Sequence, residues 1–331
     1  MRREITYVLN GRDGAVRRAL THRCKNIVNV HRAGTQPDVF LFSTPRSGST
    51  WVTELLMTQP GFTVCDEPFN LRDRRRRRML GVNGWEELYA RGAEERIAVY
   101  MTRIAQGRVY LGPWRYVNPF SKAQRGISRR VVVKIIHAGE DRIEWFKNNF
   151  QGKIIYLVRH PLAVSFSRTQ LPRVRVFLSS EYRRHFTRAQ IEYAQSLLRQ
   201  GEHLEHAVLS WCLQNMVPLH TVQPDWSVVS YEQLVLDPEP VIARLIRELE
   251  LKEPEKLRQR LKVPSSTVNL SDQDTREKLA CAGDHAQFLV QKWRKKISPE
   301  RENKLMDILK VFDIDLYRAG DFLPSKNIWI R

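Results

Sequence analysis

Paired cysteines and long apolar runs are both missing from this sequence. The four cysteines, Cys24, Cys65, Cys212 and Cys281, lie far apart and form no C-x-x-C pair, so they are expected to be reduced and mostly buried thiols. No uninterrupted apolar stretch approaches the roughly 20 residues that a membrane helix needs. The first 20 residues also lack the apolar core of a secretory signal. Together these absences predict a cytoplasmic protein.

Acidic residues are scarce relative to basic ones. The 331 residues contain 55 Lys and Arg against 36 Asp and Glu, a formal charge of +19, which favours anionic partners. Residues 74–78 form the one dense basic block. Because no aromatic residue is interleaved there and no nucleic-acid motif accompanies it, we interpret the block as a solvated surface turn and expect no specific nucleic-acid partner. Peripheral contact with an anionic membrane stays open.

Residues 37–62 also lack the signature of a nucleotide hydrolase. Residues 39–42 are an apolar run that predicts a buried strand, and the helical spacing that follows predicts a helix from about Ser49. The first N–H groups of that helix would face the polar loop, residues 43–50, and such a place binds phosphate or a chemical relative of it. The pattern G-x-x-x-x-G-K-[ST] is absent and the loop has no acidic residue for magnesium, which argues against an ordinary ATP or GTP hydrolase.

Two segments resemble those of sulfotransferases that use 3'-phosphoadenosine-5'-phosphosulfate (PAPS). TPRSGSTW, residues 44–51, resembles the 5'-phosphosulfate loop, especially of the carbohydrate-type and bacterial branches, where Arg replaces the Lys of the cytosolic enzymes. IIYLVRHPLAVSFSR, residues 154–168, resembles the 3'-phosphate segment, in which a Ser follows eight residues after the Arg. SYEQLVLDPEP, from Ser230, resembles the family's Y-E-x-L-x-x-D-P segment. The matches cover about a quarter of the chain.

The resemblance implies a PAPS site that needs no metal. Its cofactor-binding residues would be Arg46, Ser47, Gly48, Ser49, Thr50, Trp51, Arg159, Ser167 and Tyr231. Arg46 and the loop N–H groups would hold the 5'-phosphosulfate, and Trp51 and Tyr231 would approach the adenine. Arg159 and Ser167 would bind the 3'-phosphate. As features of the sequence alone, Tyr231 could instead anchor the next helix and Arg159 could form a structural ion pair.

Glu67 is the first candidate for the base that deprotonates the acceptor. It follows a predicted strand, residues 62–65, and its DEPF segment resembles the E-P-[FL] setting of a Glu that contributes to the acceptor site of carbohydrate-type sulfotransferases. Desolvation and a nearby anionic cofactor are expected to raise the pKa of this carboxyl. The alternative is that Glu67 only caps the turn set by Pro68.

His137 is the second candidate for the base. It ends a predicted central strand, residues 130–136, where the cytosolic enzymes carry K-x-H. Here one extra residue separates Lys134 from His137, and strand alternation would place the two side chains on opposite faces. Lys134 is therefore the weaker candidate. His137 could also hydrogen-bond within the first turn of a helix predicted over residues 139–149; an anionic cofactor is expected to raise its pKa.

The remaining elements follow the pattern of a parallel sheet. Residues 153–158 and 226–230 predict strands, and Pro161 opens a helix expected to carry Ser165, Ser167 and Arg168. Two long helices broken at Gly201 are predicted over residues 176–222, the second ending near Pro218 or Pro224. The last third is predicted to be mostly helical. Arg294, Lys295 and Lys296 are cations there, although the family's K-G-x-x-G run is absent.

These features predict one α/β domain over residues 37–331 with a P-loop-like fold. It would contain a central parallel β-sheet flanked by helices and a helical C-terminal third. A basic arm, residues 1–36, precedes it and should contain a short helix over residues 15–23. Residues 83–125 are interpreted as an acceptor-side insertion, in which Trp114 and Tyr116 either stack on sugar rings or pack a loop.

The expected reaction is sulfuryl transfer from PAPS to a hydroxyl, giving PAP and a sulfate ester. The expected acceptor is a carbohydrate, polysaccharide or glycolipid. A small hydroxylated metabolite or lipid is the alternative acceptor, and a P-loop-type kinase or a basic nucleic-acid-binding protein is the remote alternative function.

Overall fold

Five parallel strands form one sheet in the computed structural model, which describes residues 31–109, 127–266 and 285–325. The strands are β1 (Val39–Ser43), β2 (Phe62–Asp66), β3 (Arg130–Ile135), β4 (Lys153–Val158) and β5 (Ser227–Ser230). Their spatial order is β2-β3-β1-β4-β5, and each neighbouring pair is parallel. The predicted parallel sheet is confirmed. All five carboxyl ends consequently lie at one edge.

Helices cover both faces of this sheet. In the described residues they are α1 (Ser49–Leu56), α2 (Arg74–Leu80), α3 (Glu86–Tyr89), α4 (Ala93–Ala105), α5 (Ile143–Phe150), α6 (Pro161–Ser165), α7 (Val176–Ser179), α8 (Arg188–Gln200), α9 (His203–His220), α10 (Tyr231–Leu236), α11 (Pro238–Leu249), α12 (Pro254–Leu261), α13 (His285–Gln291) and α14 (Pro299–Val311). The 3₁₀-helices are Glu181–His185 and Lys292–Lys296. None of the helices described is long and apolar enough to cross a membrane.

The core has two halves because the side chains of β1 alternate. Phe40 and Phe42 belong to an aromatic-rich half that includes Trp211 of α9. Val39 and Leu41 belong to an aliphatic half on the other face, packed by α1 and α11. Burial on both faces explains why the central strands are continuous apolar runs rather than alternating ones.

Two helical predictions need correction. Helix α6 ends at Ser165, so Ser167 and Arg168 lie in the segment that follows it rather than on the helix. The region before Gly201 is not one long helix but α7, a 3₁₀-helix and α8; α8 begins at a capping box made by Thr187 and Gln190. The break at Gly201 is confirmed, and α9 continues past Pro218 to His220.

The basic block of residues 74–78 is helical, not a surface turn. Asp73 caps α2 by accepting the N–H of Arg75 at 2.8 Å, and Gly81 ends the helix in the left-handed conformation, φ 66°. Arg76 Nη2 donates to the carbonyl oxygen of Asp66 at 3.0 Å. Part of the block is therefore structural, since it ties α2 to the end of β2.

Several predicted features lie outside the described residues. These are the short helix of the N-terminal arm, Cys24, Trp114, Tyr116, Cys281 and residues 110–125 of the acceptor-side insertion. Cys65 and Cys212 are described, and both are buried free thiols.

Candidate active site

The loop between β1 and α1 is shaped as an anion-binding turn. Arg46 and Gly48 have positive φ angles of 75° and 93°, and the hydroxyl oxygens of Thr44 and Ser47 lie 2.6 Å apart inside the loop. Helix α1 starts at Ser49 as predicted, without an acidic residue in its first turn and without a side-chain cap from the described residues. Its first N–H groups and the positive end of its dipole are thus left for an anion.

Tyr231 closes one side of this loop. A Cβ atom built on Gly48 would lie 2.6 Å from Tyr231 Cδ2, so Gly48 is required both by its backbone conformation and by this close approach. The guanidinium of Arg159 lies 4.0 Å from the centre of the Tyr231 ring. Arg159 Nη1 also donates to the carbonyl oxygen of Arg46 at 3.1 Å. The fold therefore brings the two predicted phosphate-binding segments together.

Arg159 keeps a donor available for an anionic ligand. Its Nε is buried and has no hydrogen-bond partner in the part of the chain that the structure describes, so this donor could bond to a ligand. Ser167 Oγ donates to the carbonyl oxygen of Val164 at 2.8 Å. Trp51 lies 6.1 Å from Tyr231 between ring centres, and its indole N–H donates to the carbonyl oxygen of Val263 at 3.3 Å. The donors and rings present fit a nucleotide that carries phosphates at both ends.

Glu67 occupies the centre of a hydrogen-bond network at the end of β2. Its Oε1 accepts from Lys134 Nζ at 3.2 Å, and its Oε2 accepts from Asn70 Nδ2 at 2.9 Å. His137 Nε2 lies 3.2 Å from Oε2 as well. The residue has a left-handed backbone, φ 53°, which turns its side chain toward β3. Glu67 therefore does more than cap the turn at Pro68.

Lys134 links this network to the anion-binding loop. The side chain is buried, with 1% of the residue exposed, and Nζ donates to Asp66 Oδ1 at 3.0 Å and to Thr50 Oγ1 at 3.1 Å in addition to Glu67. The prediction that the side chains of Lys134 and His137 point to opposite faces of the sheet, and so away from each other, is wrong. Since β3 ends at Ile135, strand alternation no longer governs His137, and both side chains reach Glu67. Helix α5 begins only at Ile143, so His137 is not in its first turn.

The network shifts the pKa values of both base candidates. Burial alone would raise the pKa of Glu67, but the hydrogen bond from His137 and the charge of Lys134 outweigh it and hold the pKa well below its usual range. This is opposite to the expected rise, because the sequence did not show that Lys134, Asn70 and His137 all meet this carboxyl. Burial lowers the pKa of His137, and Glu67 opposes that shift only in part. At neutral pH the pair is a carboxylate beside a neutral imidazole.

Arg173 is a site residue that sequence reasoning missed. It is buried, and its Nη1 donates to Glu140 Oε1 at 2.6 Å and to the Tyr89 hydroxyl oxygen at 2.7 Å. Its charge lowers the pKa of His137. Asn70 was missed too, although it directly follows the DEPF segment. No spacing or motif indicates that Arg173 approaches Ile136 at the end of β3, since that contact joins residues far apart in the sequence.

The chain matches the family described as "Sulfotransferase domain" over residues 36–313. It belongs to the PAPS-dependent sulfotransferases. This family uses PAPS as the sulfuryl donor, so the predicted enzyme class and cosubstrate are confirmed. No curated protein sequence matches the chain.

Solved structures to which the chain is similar include two sulfotransferase domains of biosynthetic systems and a mouse sulfotransferase. The sulfotransferase domain of the Synechococcus PCC 7002 olefin synthase is 23% identical, with a TM-score of 0.45, and the match covers 86% of this chain and 98% of that domain. The sulfotransferase domain from the curacin biosynthetic pathway is 18% identical, with a TM-score of 0.43, covering 86% of this chain and 100% of that one. Mouse SULT7A1 complexed with PAP is 16% identical, with a TM-score of 0.37, covering 83% of this chain and 84% of that one.

Proposed function

We propose that this sulfotransferase transfers the sulfuryl group of PAPS to a hydroxyl of a carbohydrate, polysaccharide or glycolipid. The acceptor oxygen forms a new bond to sulfur, the bond from sulfur to the 5'-phosphate oxygen breaks, and the acceptor proton passes to a base, leaving PAP. The observation that carries the proposal is the contact of Lys134 with both Thr50, at the head of the anion loop, and Glu67. It supports a donor site and an acceptor site that share one residue.

The loop would hold the transferred group and stabilise the departing phosphate. Arg46 and the N–H groups of Ser47, Gly48, Ser49 and Thr50 supply positive charge and donors where negative charge develops. Arg159 and Ser167 would bind the 3'-phosphate, with Arg159 Nε as a donor that has no partner among the described residues. Trp51 and Tyr231 would flank the adenine. These assignments follow the family's motif positions and agree with the distances above.

The geometry favours His137 over Glu67 as the proton acceptor. Both oxygens of Glu67 already accept hydrogen bonds, and a carboxylate with a strongly lowered pKa is a weak base. His137 is neutral at pH 7 because its pKa is lowered. When its Nε2–H donates to Glu67, Nδ1 presents the lone pair that can take the proton. Glu67 would then hold the imidazole in that tautomer, as the carboxylate of a catalytic triad does.

The DEPF segment and the Arg46 loop support a carbohydrate-type acceptor, because both resemble that branch. A small hydroxylated metabolite or lipid is the second candidate acceptor. It is favoured by His137, since a basic histidine resembles the arrangement in the cytosolic branch. The two buried free thiols, Cys65 and Cys212, support a reducing, cytoplasmic setting for the reaction.

A thermal-shift comparison tests the proposed donor site. PAP should raise the melting temperature at micromolar concentration while ATP does little, because a ligand that binds only the folded state stabilises it. Arg159→Ala should abolish that preference without unfolding the protein. Arg188→Ala is the matched control, since Arg188 lies on the surface of α8 and pairs only with Glu192 among the described residues. Equal stabilisation by PAP and ATP would contradict the assignment.

Transfer itself is measured with [³⁵S]PAPS and a panel of sugar, phenol and alcohol acceptors. Labelled product should form with at least one hydroxyl acceptor and should require no added divalent cation. A chain that binds PAP selectively but labels sugars no better than simple alcohols would overturn the carbohydrate assignment and leave the enzyme class intact.

A further inference from the structure

Arg168 is a buried cation without an ionic partner in the described residues. Only 7% of it is exposed. Within those residues its side chain makes one hydrogen bond, from Nη1 to Ser210 Oγ at 3.3 Å, and forms no ion pair. Two other buried arginines differ: Arg142 pairs with Glu94 at 2.8 Å and Arg173 pairs with Glu140 at 2.6 Å.

An uncompensated buried guanidinium destabilises a fold, so its presence needs a reason. Removing a cation from water is unfavourable unless an anion or several acceptors replace the solvent. Burial, followed by the charges of Arg173 and Arg72, lowers the pKa of Arg168 to about 9. Its surroundings thus oppose the positive charge instead of balancing it, and an anion bound beside Arg168 would offset that penalty.

Hydrogen bonds connect Arg168 to the segment that follows β3. Ser210 Oγ also accepts from Gln214 Nε2 at 2.8 Å, and Gln214 Oε1 accepts from Arg173 Nη2 at 3.1 Å. Arg173 Nη2 in turn approaches the carbonyl oxygen of Ile136 at 3.5 Å, the residue before His137. A chain of hydrogen bonds therefore runs from Arg168 to the backbone of the residue before the proposed base.

Arg72 adds a second cation near this network. It is exposed and lies three residues after the DEPF segment; its backbone N–H donates to Asn70 Oδ1 at 3.4 Å, and Asn70 Nδ2 donates to Glu67. Its charge also contributes to lowering the pKa of His137 and Arg168. Arg173 acts on the same two groups, but its guanidinium is already engaged by Glu140, Tyr89 and Gln214. Arg159 is engaged elsewhere, because its side chain contacts the loop and Tyr231.

We propose that Arg168, with Arg72, binds an oxyanion carried by the acceptor: a carboxylate, a phosphate ester or a sulfate ester. The inference rests on the proposed function and narrows it to anionic acceptors such as acidic sugars. A planar guanidinium suits all three groups because it can donate two parallel hydrogen bonds to a pair of oxygens. The acceptor would supply the counter-charge that Arg168 lacks, next to the base that deprotonates its hydroxyl.

The first test uses inorganic phosphate as the probe on the full chain saturated with PAP. With the donor site filled, phosphate at constant ionic strength should raise the melting temperature above its value in chloride. Arg168→Gln should weaken the apparent phosphate affinity about 10- to 100-fold, the usual effect of losing a charged hydrogen bond. Arg199→Gln, which removes the same charge from an exposed position of α8, should respond like the wild type. An equal phosphate response in Arg168→Gln, or none in the wild type, overturns the proposal.

The second test distinguishes the sources of the anion. Methyl glucoside, methyl glucuronide and glucose 6-phosphate are compared as ligands of the PAP-bound protein and as acceptors from PAPS. The wild type should bind at least one charged sugar more tightly than the neutral one, and Arg168→Gln should lose that preference. Equal binding of all three sugars overturns the inference. Failure of the wild-type protein to bind PAP would instead contradict the proposed function.

A third readout separates ligand binding from a structural role. Because Arg168 has no ionic partner among the described residues, Arg168→Gln should keep or raise the melting temperature of the ligand-free protein. Arg173→Gln should lower it, since Glu140 would be left unpaired. If Arg168→Gln is as destabilising as Arg173→Gln, or if it removes PAP binding while sparing phosphate binding, Arg168 is a structural or donor-site residue and the proposal is wrong.

Discussion

His137 Nε2 lies 3.2 Å from Glu67 Oε2, and Lys134 Nζ lies 3.2 Å from the other oxygen of the same carboxylate. The two candidates for the base are thus one hydrogen-bonded pair rather than alternatives at separate places. Each residue sets the protonation state of the other, so substitutions of either one report on the pair.

Substituting His137 should damage turnover more than substituting Glu67. We expect His137→Gln to lower kcat by about 100-fold or more, the range for losing a general base. Glu67→Gln should lower it by only about 10-fold, because the amide oxygen of the new side chain can still accept a hydrogen bond from the imidazole. Steady-state kinetics with PAPS, with PAP affinity as the control for folding, provide the comparison. The reverse order of effects would return the role of base to Glu67.

The pH dependence of kcat gives an independent assignment. Burial lowers the pKa of His137 below 6.5, so the neutral imidazole, which is the basic form, accumulates as pH rises. Activity should therefore fall only when the pH drops below 6.5. Glu67 raises the His137 pKa toward normal. Glu67→Gln should therefore move the acid limb to lower pH. Disappearance of the limb in Glu67→Gln would mean that the titrating base is the carboxylate.

Lys134→Met should destabilise the fold. Lys134 is the cation between Asp66 and Glu67, and removing one partner of a buried ionic group leaves the others uncompensated, at about 3–5 kcal/mol. Urea unfolding at pH 7 measures the loss. The double variant Lys134→Met with Asp66→Asn should recover part of it, since one of the two carboxylates is then gone. A double variant less stable than Lys134→Met would contradict this explanation.

Gly48→Ala should weaken PAP binding by more than about tenfold, because the loop must move away from Tyr231 to accept the added atom. The new Cβ would collide with Tyr231, and the alanine would have to adopt a φ angle of 93°. Gly81→Ala is the matched control, because Gly81 has φ 66° but no neighbour within 4 Å of the added atom. Backbone strain alone costs about 1–2 kcal/mol of stability in both variants. Calorimetric titration with PAP should therefore find a defect in Gly48→Ala that Gly81→Ala lacks.

His160 should make the fold sensitive to mild acid. Burial lowers its pKa from 6.5 to about 3, so the unfolded chain binds a proton that the folded chain does not. Stability is fully present above pH 6.5 and falls by up to about 1.4 kcal/mol per pH unit as pH decreases toward 3. His160→Asn keeps an acceptor for the Leu162 N–H and removes this slope. Unfolding free energies of both proteins at about pH 6.5 and about pH 5 check it; parallel curves would contradict it.

Much of the donor side was predictable because it is local in sequence. The strand at Val39–Ser43, the start of α1 at Ser49 and the positions of Arg46 and Gly48 all lie within about a dozen residues, where apolar spacing and turn residues specify the backbone. The acceptor side was less predictable. Its residues come from β2, β3 and the segments after α6. Misplacing the end of a strand by one residue also reverses the expected direction of a side chain, as at His137.

By itself, the sequence determined the parallel α/β sheet, the turn from β1 into α1 and the family, since these depend on local periodicity and on short motifs. Only the tertiary structure decided the pKa shifts and the ion pairs of the site. The pKa of Glu67 is lowered rather than raised because Lys134 and His137 converge on it. Arg168 has no counter-ion among the described residues, where its side chain bonds to Ser210. Charges interact through distances in space, and a lone sequence does not contain those distances.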